Sequence, residues 1–185
     1  NEGRYDEAAS LAGKDQFDPT LVAIHAQALI ARGQYKDAEG ILRPAAQRQP
    51  LSDAALELGL LLKMLSQPEG ATLLTRVADS AATAGRASEL ARAARALQAL
   101  DRFEEANAAF RDAATAAPRD PGIQTAWAEM FLAGGCPNCI VDATKGFEVA
   151  LKEDPKWTPA MLGLARAAAD MNPPEGVKLA EKVLE

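Results

Sequence analysis

Apolar and small residues recur along this chain at helical spacing, and nothing in it alternates as a strand would. The stretch GQYKDAEGILRPAAQRQP, from Gly33, is matched by DRFEEANAAFRDAATAAP, from Asp101. Tyr35 pairs with Phe103, Ala38 with Ala106, Leu42 with Phe110, Ala45 with Ala113 and Pro50 with Pro118, each 68 positions on. A unit of half that length follows, with a poorer copy between, in which Leu58, Gly59, Leu62, Ala71 and Ala78 fall at the expected places. Further copies begin at QTAWAEMF and AMLGLARAAA, and GRYDEAASLA, from Gly3, repeats the motif at the front. Small residues at this spacing let helix backbones approach, bulky ones fill the gaps left by their neighbours, and proline ends a helix. No such unit buries its apolar stripe alone, so stability comes from stacking on the next.

The pattern resembles the tetratricopeptide repeat. In that family each unit is two antiparallel helices, A and B. The matching small A positions are Ala26, Gly59, Ala94, Ala128 and Ala165, and the first small B positions are Ala38, Ala71, Ala106 and Ala143. Leu42, Phe110 and Phe147 match the bulky B position, and Pro50, Pro118 and Pro155 the terminator. The resemblance implies an all-α fold, a right-handed α-solenoid of antiparallel helix pairs. Its expected divisions are a partial repeat (helix B) over 1–18, then repeats over 19–51, 52–86 (degenerate), 87–120 and 121–157 (enlarged turn), and a truncated repeat over 158–185.

Departures from the pattern carry their own expectations. Pro44 falls inside a B helix, where Gly40 would let the chain kink. Asp79 to Ala87 lacks a clean stop and is expected to be irregular. The A helix of the fifth unit keeps the 34 spacing while its B helix is displaced by three, so the extra residues fall in the interval that contains GGCPNC. Gly134 and Gly135 stop one helix there, and Pro137 suits the first turn of the next. Cys136 and Cys139 are read as an enlarged turn with thiols or a local disulfide. A redox pair, helped by a helix N-terminus, and a metal site shared with a partner are the alternatives. Zinc needs four ligands, and the chain offers these two cysteines and the lone His25, so no metal site is assigned.

Composition narrows the function. The formal net charge is -6, with 20 basic and 26 acidic residues, which disfavours nonspecific nucleic-acid binding. No apolar run is long enough to span a bilayer, so no membrane insertion is expected. His25 and Trp127 fall at packing positions of A helices, while Trp157 either covers the next helix start or is part of an exposed contact. No phosphate-loop, dinucleotide, serine-hydrolase or HExxH motif is present, and His25 has no recognisable catalytic partner, so no enzyme activity and no cofactor are expected.

The resemblance implies a protein-protein interaction scaffold that binds a partner peptide or helix in the concave groove lined by A helices. The matching positions are Gln27, Leu60, Lys63, Arg92, Arg95, Glu129, Leu132 and Arg166. Arg92 and Arg95, three apart on one face, could converge on one acidic group, which suggests an acidic or C-terminal partner segment. Asparagine is absent from the positions that match the family's carboxylate clamp, so chaperone tails are not assigned. The alternative is an accessory region of a larger bacterial enzyme such as a peptidase. The Ala/Arg-rich composition suggests a bacterial source, with cytoplasm and periplasm both open. The start at Asn1 suggests a processed or excised segment, and the apolar ends suggest a chain continuing past Glu185. Val183 and Leu184 would then promote end-to-end self-association of the fragment.

Overall fold

The computed structural model describes residues 18–134 and 138–172, together with 174, 177 and 181. The described residues form α-helices and one short 3-10 turn, with no strand among them. The helices are α1 (Pro19–Ala31), α2 (Tyr35–Arg48), α3 (Asp53–Met64), α4 (Pro68–Asp79), α5 (Ala87–Ala99), α6 (Phe103–Ala116), α7 (Pro121–Ala133), α8 (Cys139–Glu153) and α9 (Thr158–Met171). This is an all-α helical-repeat solenoid. Its contacts divide the chain into two compact units: residues 1–84 with 92–106, and residues 85–91 with 107–185.

Local sequence sets the helix ends. Asp18 accepts from the Thr20 and Leu21 amides, Asp120 from those of Gly122 and Ile123, and a proline follows each as the first helical residue. Three of the short turns inside helix pairs use one device. Gly33, Ser66 and Asp101 all sit in the left-handed region, at φ 73°, 57° and 61°. The next amide in each case, of Gln34, Gln67 or Arg102, reaches back to the carbonyl of Leu29, Leu62 or Leu97.

In the first unit α1 packs on α2 and α3, α2 on α3, and α3 on α4. Leu42, Leu56, Leu61, Leu62, Leu74 and Val77 are its largest fully buried side chains. Gly59 and Gly70 mark the closest crossing. A Cβ on Gly70 would lie 2.5 Å from the Lys63 amide nitrogen and 2.9 Å from the Gly59 carbonyl oxygen. The place expected for Ala71 is therefore taken by Gly70: Gly70 is buried and Ala71 exposed, one residue out of step. Leu74 then follows Gly70 as Leu42 follows Ala38. Pro44 faces solvent and α2 runs through it, because the backbone bond it forgoes lies on the exposed side, where water can serve. After Asp79 the helix gives way to the 3-10 turn Ser80–Thr83.

In the second unit α7 packs on α8 and α9, and α8 on α9. Ala128, Ala143, Phe147, Ala150 and Ala160 form one core, against which Phe131, Leu132, Trp157 and Leu164 lean. The Phe147 ring occupies the space where a side chain on Gly163 would begin. Ala113, Ala114 and Ile123 form a second cluster, with Leu90 and Trp127 against it.

Two glycines should therefore answer substitution with opposite signs. Gly40 faces open space on α2, so Gly40→Ala is expected to stabilise by about 0.5–1 kcal/mol through helix propensity. Gly70→Ala is expected to destabilise by more than about 1 kcal/mol through forced separation of α3 and α4. Phe110, fully buried, sets the scale: Phe110→Ala is expected to cost about 3–5 kcal/mol. Urea denaturation of the three variants checks the order, and a neutral Gly70→Ala would contradict the close crossing.

Candidate functional site: the first-helix face

The helices that open each pair, α1, α3 and α5, carry a set of cross-links on one side of the first unit. Asp53, at the start of α3, bridges in both directions. Thr20 of α1 donates to its Oδ2 at 2.8 Å, and Arg92 of α5 donates from Nε to its Oδ1 at 2.6 Å. Arg92 also donates from Nη1 to the Leu51 carbonyl at 2.9 Å. One turn along α3, Glu57 Oε1 accepts from Gln27 Nε2 of α1 and from Arg95 Nη2 of α5, both at 2.8 Å. At the end of α3, Lys63 donates from Nζ to the Ala99 carbonyl and lies 3.4 Å from Asp101 Oδ2.

Electrostatics fix what this arrangement can do. Glu57 is only 5% exposed, so its charge is tolerable there because Arg95 and Gln27 meet it. Burial alone would push the Asp53 carboxyl up. The hydrogen bonds from Arg92 and Thr20, with the charge of Arg92 and Arg95, outweigh burial and hold the carboxyl below its ordinary 3.8. The expected convergence of Arg92 and Arg95 on one external acid is not what the side chains do. They separate, each to its own carboxylate on α3, which supplies its counter-charge.

In the second unit the matching positions behave more loosely. Arg166 of α9 faces Glu129 of α7 at 3.6 Å, with both side chains substantially exposed. Leu132 is half-buried against the Phe147 core. Trp127 donates from its indole to Asn107 Oδ1 at 2.9 Å, and its ring lies 6.0 Å from that of Phe131. Trp157 resolves the choice left by its sequence position. It caps α9, leans on the core and donates to Thr125 Oγ1 at 3.1 Å.

Solved structures share this architecture. TTC0263, a thermophilic TPR protein of Thermus thermophilus, is 22% identical over 89% of this chain and 91% of its own, with a TM-score of 0.61. The chain has a tetratricopeptide-like helical-repeat fold. MamA AMB-1 is 19% identical over 91% of this chain and 96% of its own, with a TM-score of 0.52. The human IFIT1 dimer with PPP-AAAA is 20% identical over 100% of this chain, with a TM-score of 0.66. This chain spans about half of IFIT1, 46% of its length. No family model and no curated protein matches the sequence.

Set in this TPR-like frame, Gln27, Leu60, Lys63, Arg92 and Arg95 lie on first helices of the first unit, with Leu60 half-buried. The residues that sequence reasoning missed are the carboxylates Asp53 and Glu57, which organise the others. A signal for them exists: each lies one repeat length, within a few residues, from its arginine. Cys139 opens α8 in disulfide-bonded form, with its sulfur beside Gly134. Cys136, the other cysteine, lies outside the described residues, as do Val183 and Leu184. His25 is half-buried on α1. Among the described residues no group of three His, Cys, Asp or Glu side chains could hold a metal, and no helix is long and apolar enough to cross a membrane.

Two measurements test the cross-links. Arg95→Met strands a buried Glu57 and is expected to cost about 1–3 kcal/mol, whereas Arg166→Met, between exposed partners, is expected to cost less than about 1 kcal/mol. Equal losses in urea would show that burial of Glu57 is unimportant. The Asp53 carboxyl is depressed in the folded chain, so its contribution is complete above the unfolded value near 3.8 and is lost as pH falls through the folded one. Asp53→Asn should lower the melting temperature at neutral pH, and its gap to the wild-type chain should close below about pH 4. A gap that persists in acid would rule out the carboxylate charge as the cause.

Proposed function

We propose that this chain is a non-enzymatic scaffold that holds a partner peptide or helix along the face of its first helices. The observation that carries this reading is the double bridge of α3, through Asp53 to α1 and α5 and through Glu57 to the same two helices. It fixes three successive first helices before any partner arrives, so little ordering cost remains for binding. Leu60 and Lys63 lie on the same helix as the bridges and are open to contact. Because the nearby arginines already have counter-charges, selection on this face rests on shape, apolar contact and hydrogen bonding, and an acidic partner is not called for. The PPP-AAAA of the human IFIT1 structure is not carried over to this chain, whose net charge is -6.

Site-specific photocrosslinking tests the reading in the source cells. A benzophenone side chain at Leu60 should give one discrete adduct with a protein partner. The same group at Asp112, exposed on the second helix α6, should give none. Equal adducts from both positions, or none from Leu60, would overturn the assignment to the first-helix face.

A further inference from the structure

A second surface, on the other helices of the first unit, has the features of a docking site. A hollow of about 410 Å³ opens between α2 and α4. Its apolar lining includes Ala46, Pro50, Leu58 and Leu73, of which Ala46 and Leu58 are buried. Two arginines reach it, and they differ in kind. Arg43 is spent: it donates to Glu39 Oε1 at 2.7 Å and grips Glu69 with both terminal nitrogens at 3.0 and 2.9 Å. Its hydrogen bonds to Glu69 and then to Glu39 hold the guanidinium firmly charged. Arg76 is exposed at the same hollow, and among the described residues it has no ion-pair or hydrogen-bond partner. The hollow thus joins an apolar floor, a neutralised pair and one uncompensated cation.

Five of these repeat positions also line a hollow of about 310 Å³ in the second unit, between α7 and α8 and without a wall from a preceding second helix. Trp127 stands directly before the small residue Ala128, as Leu58 stands before Gly59. Asp142, Lys145, Gly146 and Val149 stand where Glu69, Thr72, Leu73 and Arg76 do. There the cation is Lys145, paired with Asp142 at 3.3 Å, and the position of Arg76 holds an uncharged valine. The five shared positions thus frame a depression in both units, and of the two hollows only the first carries an unpaired cation.

We propose that the hollow between α2 and α4 docks a partner protein segment carrying an apolar side chain with a carboxylate side chain beside it. The apolar group fills the floor over Leu58 and Leu73, and the carboxylate takes the fork of Arg76. This surface is separate from the first-helix face, and its test is independent of the reading proposed for that face.

The probe is the blocked tetrapeptide acetyl-Gly-Leu-Glu-Gly-amide, added at millimolar concentration to the isotope-labelled 185-residue chain and followed by amide NMR. The expected result is saturable shifts at Gln47, Leu58, Leu73 and Arg76. Replacing glutamate by glutamine in the probe, or Arg76→Glu in the protein, should each weaken binding by about tenfold or more. Leu73→Gln should do the same, and Arg76→Gln should fall between. Circular dichroism confirms that each variant is folded, and Lys145→Glu should leave the affinity unchanged. Equal binding of the glutamine probe, shifts centred on Gln27 and Arg95, or no shifts at all would overturn the proposal. So would concentration-dependent shifts at these residues without peptide, which would assign the hollow to a second copy of the chain.

Discussion

The structure rests on close approach of paired helices, which only small side chains permit. At the crossing of α3 and α4 the two glycines leave no room for even one carbon between a backbone and its neighbour. In the second unit, a Cβ on Gly146 would come within 2.8 Å of the Ala128 methyl, and Gly163 gives its space to the Phe147 ring. Alanine brings little apolar area to a core, so the chain gains cohesion through proximity: many short contacts along whole helix faces in place of a few large side chains. Four bulky residues of second helices, Leu42, Leu74, Phe110 and Phe147, each follow the small residue of their helix by four positions and are fully buried. Widening one crossing would also move the helix that stacks next, since each pair depends on its neighbour for burial.

Close crossings explain why the charged residues of the first unit are arranged as they are. When first helices lie side by side, a carboxylate on the middle one is within reach of both. Asp53 and Glu57 use that position to tie α3 to α1 and α5. A buried ion pair is a weak source of stability, because desolvation offsets attraction, but it is a strong source of register. A helix shifted by one turn would leave Glu57 buried without its cation. The cross-links thus select one stacking among several that alanine-rich faces would tolerate, and in doing so they consume the arginines that a sequence scan offers as a binding feature.

What could be read from the sequence follows the same division. Positions that must be small or bulky for packing repeat with the chain, and Ala38, Ala106, Ala143, Leu42, Phe110 and Phe147 are all buried where the period puts them. The slip at Ala71 arises where the period itself breaks. The second copy is one residue short at that point, and a neighbouring alanine imitates the missing match while Gly70 does the packing. Side-chain pairing was not legible. Arg92 and Arg95 read as a matched pair because they share a face of one helix, yet their partners lie 39 and 38 residues earlier. Helical spacing reports neighbours along a helix, and only the stacking reports neighbours across it. The left-handed turns at Ser66 and Asp101 went unseen because neither is glycine, the usual residue of that conformation.

Repetition also explains where such a chain is free to become specific. A residue at a crossing touches two helices at once, so its size is constrained from both sides. A residue facing an open hollow touches little, and its charge can change without disturbing the stack. Glu69 and Asp142 occupy one repeat position, and Arg76 and Val149 another, yet the backbone around them keeps the same pattern of small and bulky residues. The fold holds constant what packs and lets vary what faces solvent. Chemical identity in this molecule is therefore to be sought at positions where copies of the repeat disagree while the helices beneath them do not.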